Sequence, residues 1–246
     1  MNMIHNEQPL TRRERKRIAR IESIVDVAME ITAGEGLGQV TTHRVAKELD
    51  LAVGALYRYF SSKDAIIEAM QRRSLEDYSN ALRRDLLGFH EWQVANNVPP
   101  SPLGALIAIA FEYRRLVQVL PQHYHLNNQV MGNPKNVLPG SEGDRVVEVM
   151  MSLFRTLATH VQEAQDQGSL DRRLEPLDAV ILYWSSLRAV LGVQKLQAHD
   201  PSIEGSRLFR DMVFTMLLGC GAQEDELHAG WAIAHDWQLM KEGESA

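Results

Sequence analysis

The spacing of apolar residues predicts α-helix along almost the whole chain. From Ile18 to Ile31 the apolar side chains recur every three or four positions, which places them on one stripe of a helix that starts near Thr11. Gly34 and Gly36 end that stripe, and a short second helix follows Thr41-Thr42, whose hydroxyls can cap it. No segment alternates apolar and polar residues as a half-buried strand does. The sequence therefore predicts an all-α fold.

Glycine, proline and asparagine separate the later helices, because these residues break helical runs. A third helix is predicted from about Val53 to Phe60, and a fourth begins at Ser61 or Ser62 and ends at Gly88. Gly88 to Pro102 contains three prolines and is predicted to be a loop. The remaining helices are expected at about 102–120, 122–131, 142–167, 176–198, 203–221 and 223–241.

Composition favours a soluble, cytoplasmic protein with no membrane association. The chain has 246 residues, of which 45% are hydrophobic, enough for a substantial core and one or two domains. Its longest run without a polar side chain, Pro102 to Phe111, is about half of what a bilayer span needs. No apolar N-terminal segment precedes a cleavage site, and the single cysteine, Cys220, cannot form an internal disulfide.

Charge is distributed unevenly along the chain. The net charge is −6, yet residues 1–63 hold ten Lys/Arg against eight Asp/Glu, which leaves sixteen against twenty-four for residues 64–246. The basic run Arg12 to Arg17 lies in the first helix. This asymmetry suggests a phosphate-binding head on an acidic body, although a basic run can equally be a solvated helix end.

The segment Thr41 to Lys63, TTHRVAKELDLAVGALYRYFSSK, has the pattern of two short helices crossing at a tight turn. Ala46 is the small residue at the crossing, and Leu56 fills the wedge between the helices. Asp50 occupies the turn, where a positive φ is expected and where glycine is usually preferred. The other apolar members of this small core are Val45, Leu49, Leu51 and Phe60.

The pattern Ala-x-x-Leu-(turn)-Leu-x-x-Gly-x-Leu-Tyr-x-Tyr-Phe-x-x-Lys resembles the DNA-binding domain of the TetR family of bacterial regulators. Ile21–Gly36 resembles the family's first helix and Lys63–Met70 its fourth, whereas Ala52 departs from the serine usual there. The resemblance implies a three-helix, helix-turn-helix DNA-binding domain over 11–75. It implies a helical effector-binding and dimerisation domain over 76–246.

The expected partner of the first domain is double-stranded operator DNA. Tyr57, Tyr59 and Lys63 lie where the third helix ends and the fourth begins, so they can converge on phosphates; alternatively, the tyrosines are partly buried core residues. Base contacts are assigned to Thr42, His43, Arg44, Ala52, Val53, Gly54 and Ala55. Because the last four are small and apolar, Arg44 or His43 is the candidate for recognising guanine.

Two later helices carry a stripe of apolar and small residues, Leu182, Ser186, Ala189, Val193, Leu208, Met212, Thr215 and Gly219. The resemblance implies that these helices form a four-helix bundle across the two-fold axis of a homodimer. Periodicity alone does not distinguish this face from an intramolecular core face.

A small, largely apolar effector is expected in the second domain. The candidate pocket residues combine apolar side chains with a few polar groups: Phe111, Tyr113, His123, Tyr124, Asn127, Met131, Phe154 and Trp184. The same inventory suits an ordinary core. His123 and His125 do not share a helical face, so no metal site is predicted. No catalytic motif and no cofactor motif is found.

Three functions are compatible with these features. The leading hypothesis is a repressor that an effector releases from its operator. The second is a DNA-binding protein of the same fold that acts through protein partners without an effector. The third is a helical enzyme that merely contains a helix-turn-helix-like segment.

Overall fold

The computed structural model describes residues 11–131 and 140–244, and its regular elements in these ranges are all helices. The all-α prediction is confirmed. The ten α-helices of these ranges are α1 (Arg12–Glu35), α2 (Thr42–Glu48), α3 (Val53–Leu56), α4 (Lys63–Ala95), α5 (Pro102–Val119), α6 (Pro121–Met131), α7 (Gly140–Asp166), α8 (Pro176–Val193), α9 (Gly205–Gly219) and α10 (Glu224–Glu244). Short 3₁₀ turns at Leu37–Gln39 and Gln194–Ala198 follow α1 and α8.

The predicted end of α4 at Gly88 is wrong, because this helix continues to Ala95. Gly88 is a packing position: a β-carbon there would lie 2.9 Å from the indole of Trp237. Asn97, two residues after the end of the helix, has a φ of 54° that turns the chain, and the Val98 N–H donates to the Gln93 carbonyl at 2.9 Å. The expected loop from Gly88 to Pro102 therefore shrinks to residues 96–101.

The third helix is also shorter than predicted. α3 ends at Leu56, and residues 57–59 continue as turns. The Arg58 and Tyr59 amides donate to carbonyls three residues back, at 3.3 and 2.9 Å, which tightens the chain out of the α-helical pattern. Residues 132–139, most of the predicted loop before α7, lie outside the described residues.

The chain forms two compact units. The first comprises the described residues up to Ser74 together with those of Leu120–Val146, so it holds α1 to α3, α6 and the starts of α4 and α7. In this unit α6 packs against α1, and the Leu37 amide donates to the Gln129 side chain at 3.2 Å. The sequence places α6 in the later domain because periodicity does not reveal which helix it packs against. The division into domains 11–75 and 76–246 stays a prediction.

The second unit comprises Leu75–Val119 and Val147–Ala246. α5 packs against α10, and α8 packs against α9. The helices α5 and α10 approach closely at Gly230, where a β-carbon would lie 2.9 Å from the Gly104 backbone nitrogen. The apolar run that begins α5 is thus a core helix of this unit, buried from Leu103 to Tyr113.

In the part of the chain that the structure describes, one stretch, Pro176–Ala198, has the length and apolar composition that could cross a membrane. Composition and length alone give weak evidence, and a partly exposed apolar helix is also what a subunit interface requires.

Candidate functional site

The segment 41–63 folds as two short helices around a turn. Thr41 caps α2, since its hydroxyl accepts the Arg44 amide at 3.1 Å. Asp50 has a φ of 52°, which confirms the expected left-handed turn, and the Leu51 amide donates to the Ala46 carbonyl at 2.8 Å. No side chain caps α3 at Ala52, as its departure from serine predicts.

An apolar wedge fixes the crossing of α2 and α3. Val45, Ala46, Leu56 and Phe60 are buried, as predicted, whereas the predicted core members Leu49 and Leu51 are half-buried. The wedge positions the outward side chains of both helices as one rigid surface.

The predicted DNA-contacting residues occupy the outer side of this motif. His43, Ala52 and Gly54 are exposed, and Thr42, Val53 and Ala55 are half-buried. Tyr57 is 51% exposed, so it is not a core aromatic, and its hydroxyl lies 3.5 Å from the Thr42 hydroxyl. Lys63 is the first residue of α4, after Ser62, whose hydroxyl accepts the Ala65 amide at 3.0 Å.

Tyr59 is half-buried because the basic start of α1 covers it. The Arg17 guanidinium lies 5.6 Å from the ring centroid and donates to the Arg58 carbonyl at 3.3 Å. These residues border a cleft of about 980 Å³, with cations at Arg12, Arg13, Lys16, Arg17 and Arg58. The basic run is visible in the sequence. Its contact with Tyr59 is not, because the two segments are far apart in the chain.

Arg44, one of the two candidates for recognising guanine, is held by two carboxylates. Its guanidinium lies 2.9 Å from Glu35 and 3.0 Å from Glu48. A base contact by Arg44 would have to replace these ion pairs, whereas the exposed His43 has no such competitor among the described residues.

The predicted dimer face is largely uncovered in the single chain. Leu182 and Val193 are 47% and 41% exposed, and Ala189, Thr215 and Gly219 are also exposed. The other predicted members, Ser186, Leu208 and Met212, are half-buried. The opposite sides of α8 and α9 form the core, through Leu187, Leu191, Phe209, Val213 and Leu217.

The predicted pocket residues fall in both units. His123 and Asn127 are buried and Tyr124 is half-buried in the first unit, where Asn127 donates to Ser74 at 3.1 Å. The Met131 side chain lies outside the described residues.

In the second unit the predicted pocket residues belong to separate aromatic pairs. The ring centroids are 5.8 Å apart in Tyr78–Tyr113, 5.3 Å in Phe154–Trp184 and 4.8 Å in Phe111–Trp231. Of these predicted residues, Phe111 lines a cleft of about 1200 Å³.

Sequence comparison gives a match in the helix-turn-helix region. A family model described as bacterial regulatory proteins, tetR family, matches residues 24–70. The nucleoid occlusion factor SlmA of Haemophilus ducreyi is 37% identical over 82 residues, which is 31% of this chain and 41% of that protein. SlmA of Actinobacillus pleuropneumoniae serotype 5b is 31% identical over 113 residues, covering 44% of this chain and 51% of that protein. The chain thus spans about half, or less, of these relatives' length.

Solved structures of low identity share the fold over most of the chain. The transcriptional regulator FadR from Bacillus subtilis, in complex with stearoyl-CoA, superposes with a TM-score of 0.62 at 13% identity, covering 80% of this chain and 97% of that one. A TetR/AcrR-family regulator from Thermobifida fusca gives 0.54 at 16% identity, covering 81% and 97%. Motif, family model and fold agree: residues 24–70 match the TetR family of bacterial regulatory proteins, and the described helices share the fold of a solved TetR/AcrR-family regulator.

Proposed function

We propose that this protein is a cytoplasmic DNA-binding transcriptional regulator that binds its operator as a homodimer and is released by a small-molecule effector. The observation that carries the proposal is the helix-turn-helix of residues 41–63. There, the apolar wedge is buried while Tyr57 and His43 remain exposed on one surface. A family model that matches this segment supports the same function.

Phosphate contacts are assigned to Tyr57, Lys63 and the basic cleft beside Tyr59. These groups supply a phenol, an ammonium and guanidinium groups, and the start of α4 adds backbone N–H groups of the first helical turn. His43 and the small residues at the start of α3 are assigned to the major groove, where small apolar side chains can contact thymine methyl groups.

Dimerisation is assigned to the exposed face of α8 and α9. A two-fold dimer presents two recognition helices to one side of the duplex, with half-sites about 34–36 Å apart or a multiple of this. The exposed Leu182 and Val193 support this assignment, since a folded chain gains stability when a partner covers apolar surface.

Regulation is assigned to α4, which begins at Lys63 and runs for 33 residues, about 50 Å. A ligand that displaces its distant end would shift the phosphate-contacting end and change the spacing of the two DNA-binding heads. The complex of FadR with stearoyl-CoA supports a small-molecule effector in a protein of this fold.

A second function is favoured by the SlmA relatives, whose name describes nucleoid occlusion. In this alternative the chain binds specific DNA sites and acts through protein partners, with no effector. It shares the DNA-binding head with the first proposal and differs in what the second unit binds.

Selection of DNA from a random library by the full-length protein tests the proposal. We expect enrichment of a near-palindromic site, with scrambled DNA of equal length bound more weakly. A ligand found by thermal shift is then titrated with and without the site, and coupling requires operator DNA to lower ligand affinity about 5- to 150-fold. No enriched site would overturn the regulatory function. Operator binding that no bound ligand alters would overturn the effector and favour the partner-based alternative.

A further inference from the structure

The second unit contains an open, positively charged cleft whose charge the predicted apolar effector does not explain. It has a volume of about 1200 Å³ and is bordered by α4, α5, α9 and α10. Six cations line it, Arg84, Arg114, Arg115, Arg207, Arg210 and Lys241, against the four carboxylates Asp85, Glu112, Glu204 and Glu242. This excess of positive charge occurs in the region, residues 64–246, where acidic residues outnumber basic ones by twenty-four to sixteen.

Two of the carboxylates, Asp85 and Glu112, are buried and already neutralised by their partners. Asp85 accepts hydrogen bonds from the Trp237 indole, at 3.1 Å, and from Lys241. Glu112 accepts two from Arg115, at 2.8 and 2.6 Å, and one from Lys241 at 3.3 Å. Lys241 and Arg115 are therefore committed to this network, and the remaining arginines define what the cleft can bind.

Arg84 and Arg114 have no carboxylate at salt-bridge distance among the described residues. Arg114 is half-buried, with its guanidinium 5.0 Å from the centroid of the Phe209 ring. Burial lowers the pKa of Arg114. A partly desolvated guanidinium that has lost water without gaining a counter-ion would bind an anion favourably.

Aromatic rings form the other part of the lining. Phe111 and Trp231 have centroids 4.8 Å apart, and His235 and Trp237 also line the cleft. Flat rings and guanidinium planes both offer stacking surfaces. The cleft, about 1200 Å³, is somewhat larger than ordinary small-molecule sites, which are about 300–1,000 Å³.

The predicted dimer face leaves this cleft open. The α9 residues that line it, Ser206, Arg207 and Arg210, lie at different helical angles from Leu208 and Met212 of the predicted dimer face. A partner on that face would not occupy the cleft directly.

We propose that this cleft binds a small aromatic anion, with its carboxylate or phosphate on Arg84 and Arg114 and its ring against Phe111 and Trp231. The role of this ligand as the effector rests on the proposed function. Binding of the ligand to the cleft does not depend on DNA binding. It also differs from the largely apolar effector that the sequence predicts, because charge contributes most of the recognition.

Two fluorescent probes of similar shape test the charge requirement. 8-Anilinonaphthalene-1-sulfonate is an aromatic anion, and N-phenyl-1-naphthylamine is its uncharged analogue. We expect Arg84→Gln/Arg114→Gln to weaken binding of the anion about 100-fold, roughly tenfold for each lost charge-assisted contact, and to leave the neutral probe unchanged. The control is Arg155→Gln, which removes an exposed arginine on α7, outside the cleft.

The single variant Arg84→Gln, at an exposed position, keeps the test decisive if the double variant does not fold, with about tenfold weakening expected. Equal anion affinity in wild type and a folded Arg84→Gln/Arg114→Gln variant would overturn the site.

Competition by benzoate and by phenyl phosphate identifies the preferred anionic group, and displacement of the sulfonate by either supports the site. Operator affinity measured in parallel separates the two proposals: arginine-dependent probe binding that leaves DNA affinity unchanged retains the site and removes only its regulatory role.

Discussion

The helix-turn-helix and the charged cleft distribute polar groups in opposite ways. In residues 41–63 the interior is apolar, and the candidate contact residue Tyr57 stands on the outside, 51% exposed. In the cleft, Asp85 and Glu112 are buried and held by Lys241, while arginines and aromatic rings complete the lining. The first arrangement is a rigid surface that a large, regular polyanion can contact. The second encloses charge, which suits a small ligand whose binding changes a buried network.

The largest effect is expected from removing Lys241, the cation that Asp85 and Glu112 share. Lys241→Met leaves Asp85 buried with its neighbour Glu112 and without the ammonium, so we expect a loss of about 3 kcal/mol of unfolding free energy. Urea denaturation measures this loss. Lys47→Met, at an exposed position on α2, is the control and should cost little. Equal effects of the two substitutions would show that the buried network does not stabilise the second unit.

The pH dependence of the stability lost in Lys241→Met is a separate test of the buried ion pair with Asp85. Burial raises the pKa of Asp85 above its ordinary value of 3.8, although Lys241 opposes the shift, so removing Lys241 should raise it further. A raised carboxyl pKa means that the folded state holds its proton more tightly, and stability therefore falls as pH rises above 3.8. We expect the Lys241→Met loss to be smaller near pH 4.5 than near pH 7, and Asp85→Asn in the same chain to restore stability near pH 7.

A substitution on the exposed face of α8 and α9 tests whether the protein dimerises through this face. Leu182→Glu places a carboxylate at the predicted two-fold interface, so we expect the dimer dissociation constant to rise about 100-fold or more, because like charges would face each other there. Sedimentation equilibrium measures the constant. Val147→Glu, on the exposed side of α7, is the control. A wild-type protein that is monomeric at micromolar concentration would contradict the dimer.

The sequence predicts a feature well when the residues that form it are close together along the chain. Ala46, Asp50 and Leu56 lie within one turn-forming segment, so their spacing alone indicates the fold there and the left-handed turn. Asp85 and Lys241 are 156 positions apart, and no local pattern connects them. Gly88 illustrates the same limit, because its role depends on Trp237 and not on its neighbours in sequence. The pairing of Arg17 with Tyr59, 42 positions apart, has no local sequence signal for the same reason.

In the first unit, removal of one cation should affect DNA binding alone. Lys63→Ala is expected to weaken binding about tenfold at low salt for all sequences and to reduce the salt slope by about one, because a phosphate contact carries no sequence information. Stability should not fall, since a cation at a helix N-terminus opposes the helix dipole. Fluorescence anisotropy at several salt concentrations measures both values. Arg155→Ala is the control, and an unchanged salt slope for Lys63→Ala would contradict the phosphate assignment.

The smallest expected effect comes from replacing a residue of positive φ in each of the two units. Asp50 and Asn97 have φ values of 52° and 54° and are both exposed, and each turns the chain after a helix. Alanine keeps the β-carbon, which costs roughly 1 kcal/mol in this conformation, and loses the side-chain polar group that offsets the cost. We expect Asp50→Ala and Asn97→Ala to lower the unfolding free energy by about 0.5–1 kcal/mol each, and the glycine variants to recover it. Only Asp50→Ala should also weaken operator binding, because Asp50 sets the angle between α2 and α3. If Asn97→Ala weakened operator binding equally at matched stability, the end of α4 would be coupled to the DNA-binding head, and the helix-turn-helix would not act as an independent surface.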